Sequence, residues 1–74
     1  MPLPTLRPEQ VVRALEKLGY HSHRQKGSHL IMVKENSIYQ PVIPMRNKDL
    51  KKETTRAIIR QIGLTIEEFL KLLQ

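Results

Sequence analysis

The spacing of apolar residues changes twice along this chain, at Gly19 and at Pro44, and these two changes constrain its fold more than any bulk property does. Before Gly19, the residues Val11, Val12, Leu15 and Leu18 recur at helical intervals, Pro8 suits a first helical turn, and Gly19 is placed to end it. This predicts a helix over residues 8–18. Between the two breaks the period shortens. "YHSHRQK" alternates loosely, while "SHLIMVKE" and "SIYQPVI" are short, apolar and partly β-branched, with Glu35-Asn36-Ser37 as the turn between them. Three strands in a meander are expected. Pro41 has no N–H to give a ladder, which assigns the third strand to a sheet edge or a bulge.

After Pro44, which stops that strand, "MRNKDLKK" is a polar, basic connection. Helical spacing then returns: Ala57, Ile58, Ile59 and Ile62 form a stripe over residues 53–62, and Gly63 stands at the C′ position. Thr65 and Glu68 have the spacing of a capping box, ahead of Ile66, Phe69, Leu70 and Leu73 on one face. A short third helix therefore closes the chain. The predicted class is α+β, in the order α-β-β-β-α with an extra C-terminal helix. Its three-stranded antiparallel sheet carries helices on one face and leaves the other open. With no internal repeat, low-complexity tract or linker, residues 1–74 are expected to form a single domain.

Composition narrows the partners. A chain of 74 residues hides only roughly 60% of its unfolded surface, so its core is thin and leaves little room for an enclosed pocket. The 13 Lys and Arg against 7 Asp and Glu give a net charge of +6, a balance suited to a polyanion. The charge is concentrated: from Lys17 to Arg60 there are ten bases and three acids, and elsewhere three bases and four acids. The absence of cysteine excludes disulfides and thiolate zinc sites. No basic N-terminal segment leads into an apolar run, and no apolar run approaches the ~20 residues that span a bilayer. The expectation is a soluble cytoplasmic protein that does not engage membranes.

The stretch "RQKGSH" concentrates the chemistry. Gly27 and Ser28 place His29 at the start of a strand, with Arg24 and Lys26 just before it, and Arg46, Lys48, Lys51 and Lys52 follow the third strand. Cleaving RNA without a metal requires a base for the 2′-hydroxyl proton and fixed positive charge for the phosphoryl oxygens. Histidine, titrating near ~6.5 as a free residue, supplies the base, and the cations supply the charge. Gly27 permits a tight turn or close approach of a substrate backbone. Metal-assisted cleavage needs clustered carboxylates, and the central region has only the scattered Glu35, Asp49 and Glu53. His21, His23 and His29 are the candidates for a zinc site, with His21 and His23 on one side of a strand. Lacking cysteine and a fourth ligand, they are better read as solvent-facing residues or RNA contacts; no metal or cofactor is expected. Tyr20 and Tyr39 are candidates for base stacking, with core or edge packing the commoner use of such residues.

The order and size of the elements resemble the double-stranded-RNA-binding fold, in which a basic helix start and loops meet RNA phosphates and 2′-hydroxyls. The segments "LEKLGY", "RQKGSH", "VIP" and "LKKETTRAIIRQIGLTIEEFLKLL", from Pro8 to Leu73, resemble the HicA (YcfA-like) family of bacterial mRNA interferase toxins, and the Gly-Ser-His step is the most specific part. That resemblance implies a small ribonuclease of a type II toxin–antitoxin pair that inhibits translation, uses His29, and is covered by a HicB-type antitoxin. Where family members carry Pro-x-His after the third strand, this chain has Pro44-Met45-Arg46, so a mechanism with one imidazole is implied. The free toxin is expected to be monomeric. The competing expectation is an RNA-binding module of the same fold without catalysis.

Overall fold

The computed structural model describes residues 3–74. The elements run α1 (Pro8–Lys17), β1 (His21–Lys26), β2 (His29–Val33), β3 (Val42–Pro44), α2 (Lys52–Gln61) and α3 (Ile66–Lys71). This is the expected α-β-β-β-α order with its extra terminal helix. The strands form one antiparallel sheet in the order β1-β2-β3.

The helices end where local chemistry says they should. At α1 the Gly19 amide donates to the Glu16 carbonyl and the Tyr20 amide to the Leu15 carbonyl, both at 3.0 Å. The same pair of bonds recurs after α2, from Gly63 to Arg60 at 3.1 Å and from Leu64 to Ile59 at 3.3 Å. Both are Schellman motifs, in which the last carbonyls of the helix find donors in the reversing chain.

The capping box of α3 is complete: Thr65 Oγ1 accepts from the Glu68 amide at 3.0 Å, and Glu68 Oε1 accepts from the Thr65 amide at 2.8 Å. The bond from the Thr65 backbone first, and that from its side chain second, hold the Glu68 carboxyl below the ordinary carboxylate range. A lowered folded value contributes stability above the unfolded value, and that contribution is lost as pH falls through the folded one. A Glu68→Gln chain, which keeps the acceptor without the charge, should therefore lose less stability than the native chain between about pH 5 and about pH 3. Urea midpoints at the two pH values check this, and equal losses would refute it.

One cluster of buried side chains lies between the sheet and the helices. Val11, Ala14 and Leu15 of α1, Leu30 and Met32 of β2, Ile43 of β3, Ile58 and Ile59 of α2, and Phe69 of α3 all belong to it. The alternation is strict on β2, where Leu30 and Met32 are buried while His29, Ile31 and Val33 face the other way. Thr55 is the only buried polar residue of the described chain, and its hydroxyl donates to the Lys51 carbonyl at 3.4 Å.

Three features depart from expectation. The third strand spans only Val42–Pro44 rather than residues 37–43. Asn36 turns the chain with φ 64°, the Ser37 amide closes that turn on the Lys34 carbonyl, and Pro41 offers only its carbonyl, which accepts from the Met32 amide at 3.0 Å. Pro41 does precede an edge strand, as its missing N–H requires. The second departure is a bulge in β1: Ser22 faces Met32 and Arg24 faces Ile31, which leaves His23 as the extra residue. Simple alternation does not place His21 and His23 on one side. His21, opposite Val33, instead shares the open face with Arg24, three positions along. Third, the lead before α1 is part of the core, because Leu3 and Leu6 are only 2% and 4% exposed.

Candidate active site

The turn that carries Gly-Ser-His is a two-residue hairpin, since Lys26 pairs with His29 and only Gly27 and Ser28 lie between. Gly27 has φ 60°, and Ser28 is not among the residues with positive φ. A positive φ at the first central position alone fits the type II′ turn, whose twist matches that of the flanking strands and which favours glycine there. No atom lies within 4 Å of where a Cβ on Gly27 would be. The need for glycine is therefore conformational, not a matter of close approach by the protein's own chain. Gln25 Nε2 donates to the Gly27 carbonyl at 3.0 Å and braces the turn.

Residues directly opposite in an antiparallel pair share a face. His29 lies on the central strand, between Lys26 of β1 and Pro44 of β3. The next row on that face is Arg24, Ile31 and Val42. The imidazole is exposed, and Lys26 and Arg24 flank it from the fully exposed strand β1. Sequence spacing brought these three residues close along the chain, and the register puts all three on the open face.

Beyond β3 the chain is drawn toward the same hairpin. The Met45 amide donates to the Ser28 carbonyl at 2.6 Å, so Arg46 leaves the sheet beside the residue before His29. Arg46, Lys48 and Lys51 then line a shallow cavity of about 160 Å³ whose wall includes Pro44, the cross-strand partner of His29, together with Leu50 and Thr54. Three cations around one hollow beside an exposed imidazole can hold a phosphodiester and a base in reach of each other. Asp49 is the acid on that wall, and it lies 4.0 Å from Arg7 Nη1. Lys52 occupies the first position of α2 and is exposed outside the cavity wall.

The remaining candidates are placed elsewhere. Tyr20 is buried, with Lys34 Nζ 5.5 Å from its ring centre. Tyr39 is half-buried, and burial first, with the neighbouring Tyr20 second, raises its phenol above the ordinary value. Neither ring belongs to the rows around His29. Among the described residues no three His, Asp or Glu side chains come together as metal ligands would.

Sequence reasoning missed the residues that hold the cationic loop in place. Arg7 Nη2 donates to Asn47 Oδ1 at 3.0 Å, the Leu50 amide donates to the Leu6 carbonyl at 2.8 Å, and the Leu50 side chain is buried. Partners about forty positions apart leave no periodic signal in the sequence.

A family model described as the HicA toxin of bacterial toxin–antitoxin systems matches residues 8–64. The matched stretch holds α1, the whole sheet, the cationic loop and α2, and it leaves out Leu3–Arg7 and α3. No curated protein matches the chain.

Proposed function

The chain belongs to the HicA toxin family of bacterial toxin–antitoxin systems, and from that premise we propose that it is a metal-independent mRNA interferase that cleaves RNA with His29 and arrests translation. The observation that carries this is the placement of His29: exposed on the central strand, level with Lys26, and one strand away from the cavity lined by Arg46, Lys48 and Lys51. Residues 1–74 act together as one toxin domain.

In the proposed reaction the neutral imidazole of His29 takes the proton of a ribose 2′-hydroxyl. The oxygen freed in this way bonds to the adjacent phosphorus as the bond from phosphorus to the 5′-oxygen breaks. The products are a 2′,3′-cyclic phosphate and a 5′-hydroxyl, whose proton comes from water. Lys26 and Arg24 on one side, and Arg46, Lys48 and Lys51 on the other, offset the charge that gathers on the phosphoryl oxygens. Arg46 stays protonated and so acts through its charge, not as a general acid. Lys52, at the start of α2, adds to the track that binds the RNA backbone.

A toxin of such a pair has an antitoxin, and we place a HicB-type protein of acidic character over His29 and the cationic loop. Covering an open, shallow site is the direct way to silence it, and opposite charge favours the encounter. Exposed contacts of this kind weaken with salt.

The test is cleavage of a long single-stranded RNA in EDTA, followed by the same assay on a strand with 2′-deoxy sugars at the cut positions. Fragments ending in cyclic phosphate are expected from the first and none from the second. Cutting that is unaffected by the deoxy sugar would overturn the mechanism, and added antitoxin should leave the RNA whole. A second reading, an RNA-binding module without turnover, is favoured by one observation: Arg46 stands where relatives are expected to carry a second histidine. RNA that is bound by the native chain and never cut would establish it.

A further inference from the structure

The loop between β3 and α2 carries Arg46, Lys48 and Lys51, three like charges that repel one another. An unanchored loop of that composition would sample many arrangements. This one is held at several points. Its start is tied to the hairpin by the bond from Met45 to Ser28, and its end by the Thr55 amide, which donates to the Lys51 carbonyl at 3.2 Å. Its middle is held by the segment before α1. Leu6 accepts from the Leu50 amide, Arg7 reaches Asn47 at 3.0 Å and lies 4.0 Å from Asp49, and Leu50 is 6% exposed in the cluster that includes Leu3 and Leu6.

Arg7 is well suited to this. Its backbone opens α1, with its carbonyl accepting from the Gln10 and Val11 amides at 3.0 and 3.3 Å and its own amide bonded to Gln10 Oε1 at 2.8 Å. Its guanidinium presents several donors in a fixed fork, a geometry a lysine does not share. The residue thus joins the rigid start of a helix to the loop.

We infer that Leu3–Arg7 is a strap that sets the conformation of the cationic loop, and that Arg7 is a positioning residue for Arg46, Lys48 and Lys51. The strap itself rests on the contacts above; its consequence for RNA rests on the proposed function. Arg7 acts through Asn47 and Asp49, and not by touching RNA.

The test uses the full chain and its Arg7→Ala, Asn47→Ala and doubly substituted forms. Hydrogen exchange without RNA reads the strap. The Leu50 amide should exchange about tenfold faster in Arg7→Ala, while the Met32 amide of β2, bonded to the carbonyl of Pro41 just ahead of β3, keeps its native rate. Unchanged exchange at Leu50, or equal acceleration at Met32, would overturn the strap.

Steady-state cleavage reads the consequence. kcat/KM should fall about fivefold in Arg7→Ala, through a lower kcat as well as a higher KM, because the cations it positions hold the RNA and also meet the charge that develops in the transition state. Adding Arg7→Ala to Asn47→Ala should then cost clearly less than Arg7→Ala does alone, because the two share the Arg7–Asn47 link and only the contact with Asp49 remains to be lost. A full, additive loss in the double variant would mean that Arg7 meets RNA directly, and would overturn its positioning role. If the native chain neither binds nor cuts RNA, the proposed function fails, and the exchange comparison still decides whether the strap exists.

Discussion

His29→Ala should abolish RNA cleavage, with a rate loss of about 10²–10⁴-fold, while RNA affinity stays close to native. General-base catalysis by a positioned histidine contributes on that scale, and no other imidazole is aligned with the cavity to replace it. His21 lies at the far end of the same face, opposite Val33, and His23 is the bulge residue. Binding should survive because the positive field comes from side chains the substitution leaves alone: Arg24 and Lys26 on β1, and Arg46, Lys48 and Lys51 around the hollow. The imidazole is exposed and outside the core, so the variant should fold as the native chain does. Denaturing gels and filter binding on the same preparations check both halves. Cleavage at more than a tenth of the native rate would remove His29 from the chemistry.

Phe69→Ala should carry the largest cost in stability, about 3–5 kcal/mol. Its ring is completely buried, although α3 is a helix of one and a half turns that has no stability of its own. Such a helix persists because its single buried aromatic completes a cluster drawn from both other helices and the sheet. Removing the ring leaves a cavity in a core that is thin to begin with, and small domains have only about 5–15 kcal/mol in total. The variant should unfold well below the native urea midpoint. A loss under about 1 kcal/mol would mean that α3 lies against the domain without belonging to its core. The matched family stretch ends before this helix, so the result also bears on how much of the chain the fold requires.

The two predictions differ in how far the sequence alone foretold them. His29 was marked by its neighbours: a glycine able to reverse the chain, a serine, and cations three and five positions back. Phe69 was marked by its place on a helical stripe, but that it is the residue buried by α3, with Ile66 and Leu70 only half-buried beside it, depended on what the stripe packs against. Arg46 and Lys48 were identified by charge and position after the third strand. That they line one hollow with Lys51 depends on Leu50 entering the core between them.

The sequence by itself determined whatever is governed by near neighbours. Gly19 and Gly63 end α1 and α2 through hydrogen bonds spanning a few residues, Thr65 and Glu68 start α3, Gly27 turns the hairpin, and alternation on β2 decides which side chains face out. Each is a short-range pattern, set by backbone dihedrals and by donors or acceptors within one turn of chain. The tertiary structure alone decided the bulge at His23, the shortening of β3, the burial of Tyr20 and the strap from Leu3 to Arg7. These depend on which surfaces meet across tens of residues, where a leucine such as Leu6 is buried in one cluster with residues as distant in sequence as Leu50 and Phe69. No period in the chain encodes such a meeting, because it exists only once the sheet and helices have closed on a common core.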